Sequence, residues 1–255
     1  MKTEGRLEKL LSAGRFVICA ELGPPKRADA GFIRKRAAYY QGLVDAVNIT
    51  DNQTAVARMS ALAAARIVQE EGLEPIYQLT TRDRNRLALQ ADILGAAALG
   101  IPNILCLTGD HPSIGNHPEA KPVWDIDSVQ LIETVRRMRD TGLFLNGEEV
   151  QGRPRLLIGA AANPFAPPLA YRLTRLEKKI RAGADFIQTQ AIFDLDRFGE
   201  WMEEVRQAGL HEQCYIIAGI VPFTSLGALR YMQTQVPGMT VPDKYLRRME
   251  QAEDK

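Results

Sequence analysis

Two carboxylates stand where the chain could do chemistry. Glu21 stands in the run Cys19-Ala-Glu-Leu22, just before Gly23-Pro24-Pro25. A lone glutamate on an apolar segment is drawn partly out of water, and desolvation disfavours its charged form and raises its pKa. A carboxylic acid that stays protonated near neutral pH can serve as a general acid; a salt bridge to an arginine at the rim is the competing reading. Asp110 follows the apolar run Ile104–Leu107 through Gly109, which turns the backbone with no Cβ penalty. It is readable as a second acid, as a hydrogen-bond partner for a heterocycle, or as a cap on its own loop. Alternation along a strand adds polar groups at strand ends. Glu21 shares a face with Cys19, Asn48 with Thr50, Gln78 with Thr80, Cys106 with Thr108, Ala161 with Asn163, and Gln188 with Gln190. Together they predict a polar, ligand-binding mouth. Arg172, Arg175, Lys178 and Lys179 form a basic cluster, either a solvated helix face or a grip on phosphate; no G-x-G-x-x-G or P-loop offers another. His111 and His117 share a Pro-rich loop with Asp110, a weak pattern from which no metal is expected, and His211 reads as a surface residue.

The elements that must position these groups alternate strictly. A helix over 4–13, with Leu7, Leu10 and Leu11 at helical spacing, precedes the first strand and suits the floor of a barrel. Strands are predicted over 16–22, 44–50, 74–80, 103–107, 156–163, 185–192 and 215–221. Helices are predicted over 29–41, 55–71, 84–99, 128–141, 169–182, 195–208 and 224–233, with a last short one over 243–252 in the tail from Pro237. Asp51-Asn52-Gln53-Thr54 is expected to cap the helix over 55–71, and Asp127 the helix over 128–141. The connection from Pro112 to Trp124 is a loop of a length that is often functional. This βα alternation favours a TIM (β/α)8-type barrel over an open sheet, in one domain spanning 1–255. Only seven strands are readable, so the barrel is expected to be C-terminally shortened, with free sheet edges and a tendency to form a homo-oligomer.

Composition narrows the classes. The net charge of +1 and the lack of a basic, aromatic-interleaved tract argue against nucleic acid as partner. No apolar run approaches ~20 residues, so no membrane span is expected. The polar start Met1-Lys-Thr-Glu-Gly-Arg does not read as a signal peptide. Cys19, Cys106 and Cys214 are scattered, as reduced thiols in a cytoplasmic protein would be, and cannot by themselves supply a four-cysteine zinc or iron–sulfur site.

Five stretches, in order from the first strand to the seventh, carry a resemblance to the methylenetetrahydrofolate reductases. Cys19-Ala-Glu-Leu-Gly-Pro-Pro-Lys26 resembles their F-E-F-F-P-P motif, and Leu107-Thr-Gly-Asp-His-Pro112 their L-R-G-D-x-P motif. Leu176-Glu-Lys-Lys-Ile-Arg-Ala-Gly-Ala-Asp185 resembles L-K-x-K-x-x-A-G-A, Gln188-Thr-Gln-Ala-Ile-Phe-Asp194 resembles I-T-Q-x-x-F-D, and Ala218-Gly-Ile-Val-Pro222 resembles P-G-I-x-P. The resemblance implies a TIM barrel that binds a flavin, usually FAD with FMN as the other choice. It implies reduction of 5,10-methylenetetrahydrofolate to 5-methyltetrahydrofolate, a step of one-carbon metabolism that serves methionine biosynthesis. Glu21 matches the family's general acid, Asp110 the carboxylate near flavin and pterin, and Gln190 the glutamine on the pterin. Thr50, Gln78, Thr108, Gly109, Asp110, Lys178 and Lys179 fall on flavin-contact positions, the lysines near the diphosphate.

Four departures stand out. Gln78 replaces a histidine common beside the flavin, and Thr108 replaces an arginine. Asp51-Asn52-Gln53 replaces Tyr-Gly-Ala, and Asn163-Pro-Phe-Ala-Pro167 replaces a Y-P-E-x-H-P segment. The Asn48-Ile-Thr-Asp-Asn-Gln53 variant resembles an acetogen-type branch in which a cysteine-rich iron–sulfur partner subunit accompanies the reductase and NAD(P)H need not be the direct electron donor. The remaining readings are a pterin-binding methyltransferase barrel and a non-catalytic folate- or flavin-binding subunit of a redox complex.

Overall fold

A computed structural model describes residues 1–236, 239 and 241–252, without the side chain of Gln235. Pro237, the expected start of the tail, lies outside the described residues. The chain forms two compact units, one of residues 1–160 with 182–185, the other of residues 161–181 with those from 186 onward.

In the first unit, strands β1 (Cys19–Leu22), β2 (Ala46–Ile49), β3 (Pro75–Thr80), β4 (Asn103–Leu107) and β5 (Leu157–Ala162, its last two residues in the second unit) pair in that order, all parallel. They alternate with helices α1 (Arg6–Ser12), α2 (Ala30–Ala38), α3 (Ala61–Glu70), α4 (Arg86–Ala98) and α5 (Ser128–Asp140). The helices form because their apolar residues recur on one face: Ala61, Ala64, Ala65 and Val68 of α3 are fully buried, as are Leu131, Ile132, Val135 and Met138 of α5. Asp127 caps α5 with a full capping box to Gln130, as its position predicts.

The second unit holds α6 (Arg172–Ala182, its last residue assigned to the first unit), β6 (Phe186–Ala191), α7 (Leu195–Gln207), β7 (Tyr215–Gly219), α8 (Leu226–Gln235) and α9 (Asp243–Gln251). Strand β6 runs parallel to β7. Ala191, Phe193, Leu229 and Val241 form a core here, with Phe223, Tyr245 and Leu246 packed against it. The seven parallel strands and their helices make the chain an α/β protein of TIM-barrel type. Among the described residues no helix is long and apolar enough to cross a membrane.

Three expectations need correction. Strand β1 begins at Cys19 rather than Phe16, because Ile18 N donates to the Asp45 carboxylate (2.9 Å) and Phe16 is 90% exposed. Helix α3 begins at Ala61 rather than 55, because Thr54 and Ala55 adopt left-handed backbone conformations and Asp51–Thr54 therefore does not cap it. The mouth-facing set of β4 is also different. Register places Leu105 beside Gln78 and Leu107 beside Thr80, so Cys106 lies on the opposite face, beside Leu79 and Ala160. A continuously apolar strand carries no alternation from which its inward face could be read.

Candidate functional site

In the first unit the carboxyl ends of β1 to β4 carry the predicted residues Glu21, Thr50, Gln78, Thr108, Gly109 and Asp110. Glu21 on β1 stands directly beside Asn48 on β2. Its side chain is reachable by water, yet it sits in a recess dense enough in protein atoms that burial raises its pKa. The Gln53 amide opposes part of that rise, donating from Nε2 to Glu21 Oε1 over a long 3.4 Å. Among the described residues Glu21 has no ion pair, so the rim-arginine reading does not hold. Next to it, Asn48 and Thr50 are 7% and 2% exposed, and Asn48 Oδ1 and Thr50 Oγ1 have no hydrogen-bond partner. Buried acceptors left without donors are costly unless a ligand serves them.

The loops around this recess are bound tightly to one another. Asp51, buried, accepts from Thr80 N (2.9 Å), Thr80 Oγ1 (2.8 Å) and Arg84 Nη1 (2.7 Å). Arg82, also buried, pairs with Asp83 (2.7 Å) and donates to the carbonyls of Asn52 and Asp110 (3.2 Å each). Burial alone would raise the pKa of Asp83, but Arg82 and the Asn52 amide hold it below the usual carboxylate range. Gly109 has φ +87°, and a Cβ there would meet Arg82 Cβ at 3.0 Å, so both conformation and crowding require glycine. Thr108 is exposed, and its carbonyl accepts from Trp124 Nε1 (3.3 Å). Asp110 is exposed and accepts from Thr54 N at 3.0 Å, which favours the loop-cap reading of this residue. His111 caps its own turn through Ser113 N (3.1 Å), and His117 lies beside Glu119. Among the described residues no group of three or more His, Cys, Asp or Glu could hold a metal.

Sequence reasoning missed Gln53, Arg82 and Arg84. Gln53 touches Glu21 only because the turn after β2 is left-handed, and no glycine or asparagine–glycine pair announces that turn. Arg82 and Arg84 follow β3 in the run Thr80-Thr-Arg-Asp-Arg84, and charged residues after a strand read as ordinary rim residues.

In the second unit, Gln190 is exposed on an irregular stretch of β6, where register shifts between Gln188 and Ala191. Thr189 Oγ1 holds the irregularity, accepting from Gly219 N (2.9 Å) and donating to Gln190 O (2.8 Å). A Cβ at Gly219 would fall 2.4 Å from Thr189 O, so only glycine fits there. Gln188 Nε2 is buried without a partner. Of the basic cluster, Arg172 pairs with Glu204, Arg175 donates to the carbonyls of Ala166 and Pro167, and Lys179 Nζ donates to Ala161 O (2.5 Å). Lys178 is exposed.

A cleft of about 980 Å³ opens elsewhere in the first unit, among Arg6, Glu74, Ile101 and Arg153 at the amino ends of the strands. Its charged groups are engaged: Arg6 pairs with Asp45, Glu74 accepts from the backbone of Arg6 and Leu7, and Arg153 donates to Asp140 O. Volume there and unmet hydrogen-bonding capacity at the mouth point to different places, and chemistry follows the latter.

The sequence model of the methylenetetrahydrofolate reductase family matches residues 6–255. Among curated relatives, methylenetetrahydrofolate reductase (NADH) 1 of Arabidopsis thaliana is 33% identical over 54% of this chain and 24% of its own. A probable methylenetetrahydrofolate reductase (NADH) of Oryza sativa subsp. japonica is 27% identical over 93% of this chain and 41% of its own. A probable methylenetetrahydrofolate reductase (NADPH) of Caenorhabditis elegans is 24% identical over 93% and 36%. The chain thus spans less than half the length of each of these relatives. Among solved structures, an uncharacterized protein from Clostridium thermocellum that binds two copies of 5-methyl-5,6,7,8-tetrahydrofolic acid superimposes with a TM-score of 0.65 at 15% identity, over 97% of this chain and 80% of that one. A 2,3-dimethylmalate lyase of the PEP mutase/isocitrate lyase superfamily gives 0.55 at 14% identity, over 95% and 93%. At these identities the likeness concerns the fold.

Proposed function

Since the chain belongs to the methylenetetrahydrofolate reductase family, we propose that it carries the flavin-dependent reduction of 5,10-methylenetetrahydrofolate to 5-methyltetrahydrofolate. The observation that carries the reading is Glu21, a carboxyl whose pKa is raised by burial, placed beside buried acceptors with no donor of their own. The residues fit a flavin on that same observation: Asn48 Oδ1 and Thr50 Oγ1 await the N–H groups of a heterocycle's edge.

A bound reduced flavin supplies the hydride. Thr50, Gln78, Thr108, Gly109 and Asp110 are the first unit's candidates for holding it; Lys178 and Lys179 are the second unit's candidates for its diphosphate. Glu21 donates its proton to a nitrogen of the folate's five-membered ring, which opens to the iminium that accepts hydride. Burial favours the protonated form of Glu21, the form that can give a proton to the substrate nitrogen. Gln190 is the candidate for the pterin. FAD is the expected flavin. The Asn48–Gln53 variant motivates a cysteine-rich iron–sulfur partner subunit as electron source in place of direct NAD(P)H.

The test is a visible spectrum of the purified protein, followed by anaerobic addition of 5-methyltetrahydrofolate. Flavin bands that bleach support both ligands and the chemistry. Bands that persist would remove the folate reaction, and a protein that takes up no flavin on reconstitution would remove the reading altogether. Comparing NADH with a low-potential one-electron donor in turnover then assigns the reductant.

A further inference from the structure

The turn after β2 holds three non-glycine residues in the left-handed region: Asn52 at φ 46°, Thr54 at 56° and Ala55 at 55°. Such a cluster persists only where its surroundings over-determine it. Here they do. Asp110 Oδ2 accepts from Thr54 N (3.0 Å), Asn116 Oδ1 from Ala57 N (3.0 Å), and Asn52 Oδ1 from Arg58 N (3.0 Å), while Arg82 Nη2 donates to Asn52 O (3.2 Å). The chain also passes so close that a Cβ on Gly115 would lie 1.8 Å from Ala55 O. The product of this strained turn is the placement of one side chain. Gln53 Nε2 reaches Glu21 Oε1, and Gln53 Oε1 lies over Gly23, 3.7 Å from where a Cβ would stand.

We propose that Asp110 is a positioning residue for Glu21: its carboxylate pins the Thr54 N–H and so holds the Gln53 amide against the proton donor. The proposal rests on reading Glu21 as that donor. An amide N–H favours the carboxylate form of Glu21, whereas burial favours the acid, so Gln53 sets how readily the proton leaves. Asn48 beside it on β2, Cys19 two residues back on β1 and the Tyr40 hydroxyl, which donates to its carbonyl (3.0 Å), are neutral, while the Arg58 guanidinium of the same turn donates from Nη1 to Pro24 O (3.2 Å). The charged groups of the neighbouring loops are engaged elsewhere, Asp51 with Arg84, Arg82 with Asp83, and Asp110 with the turn itself.

The test is a carboxyl-carbon NMR titration of protein labelled at glutamate Cδ, with the Glu21 resonance identified by its loss in Glu21→Gln. Gln53→Ala should raise the Glu21 midpoint by roughly half a unit to one unit, about a three- to tenfold change in acidity. Asp110→Ala should raise it too, although removing a nearby negative charge would by itself lower it. The double variant should go no higher than Gln53→Ala alone, and Asp110→Asn, which keeps an acceptor for Thr54 N, should restore the midpoint. Should Asp110→Ala fail to fold, Asn116→Ala loosens the same turn at Ala57 and should move the midpoint upward. An unchanged or lowered midpoint in these single variants, or a further rise in the double variant, overturns the proposal. Protein that reduces no folate yet shows the shifts loses the functional reading and keeps the positioning role. Protein that turns over folate with an unmoved midpoint does the reverse.

Discussion

The two ends of the first unit's strands use the same residue types in opposite ways. At the amino ends, the described buried and half-buried carboxylates Glu8, Glu74 and Asp185 are all hydrogen-bonded by at least two donors. Asp185 accepts from Arg139 Nη1 (2.7 Å), from Ile158 N (2.8 Å) and from Lys2. Glu74 takes the backbone N–H groups of Arg6 and Leu7 and the Asn103 amide, and Glu8 takes those of Lys2 and Thr3. Helix α1 is fastened there, as a floor would be, and only Asn103 Oδ1 lacks a partner among the described side-chain atoms of this group. At the carboxyl ends the outer ring of Asp51, Arg82, Asp83 and Arg84 is equally well paired, but the inner group of Glu21, Asn48 and Thr50 is left short of partners. Full satisfaction marks structure, and capacity held in reserve marks the place for a ligand.

The widest separation between the two ends should appear on substitution of their carboxylates. Glu21→Gln should lower the rate of folate reduction by ~10²–10⁴-fold, the usual size of a general-acid effect, with flavin content and melting temperature near wild type. Rapid-mixing of flavin-loaded protein with folate reads this directly, and a normal rate would remove Glu21 from the chemistry. Asp185→Ala should instead cost about 1–3 kcal/mol in urea unfolding, because Ile158 N and Arg139 Nη1 lose a buried acceptor while Asp140 still pairs with the Arg139 guanidinium. A loss under about 1 kcal/mol would mean that the floor is not the fastening described.

Smaller effects sharpen the contrast. Thr50→Val removes an acceptor that nothing satisfies in the ligand-free protein, so unfolding free energy should hold or rise by up to about 1 kcal/mol while flavin affinity falls. A destabilised apoprotein would show that Thr50 has a structural partner after all. The pH dependence of Glu21 is the finest probe. Its pKa is raised on folding, so its contribution to stability is whole below its ordinary 4.5 and is lost as pH rises through the folded value. The difference in melting temperature between Glu21→Gln and wild type should therefore grow in favour of the variant across that window, and a pH-independent difference would contradict the raised pKa. Asp125, exposed and held at about 2 by the Arg86 side chain and backbone N–H, behaves oppositely, losing its contribution only as pH falls from 3.8 toward that value.

Much of this was legible in the sequence. Strand order, the glycine turn at Gly109, the capping role of Asp127 and the desolvation of Glu21 all follow from local patterns. The inner face of β4 was not, because Ile104–Leu107 is apolar throughout and register alone decides which side faces in. Nor was the contact between Gln53 and Glu21, which depends on residues 32 positions apart and on a turn whose backbone conformation its residue types do not favour. Non-local ion pairs such as Arg139–Asp185 leave no spacing signal at all.

One consequence follows from Cys19, two residues back from Glu21 on the same strand. Burial, reinforced by the negative charges of Asp45 and Glu74, pushes its thiol up to about 12, and burial raises Cys106 as well. At neutral pH Cys19 is then held as the thiol, whereas the thiolate is the form that alkylating agents and peroxide attack. The sheet thus keeps the sulfurs of Cys19 and Cys106 chemically silent, so both should resist alkylation by iodoacetamide in the folded protein and react once it is unfolded in urea.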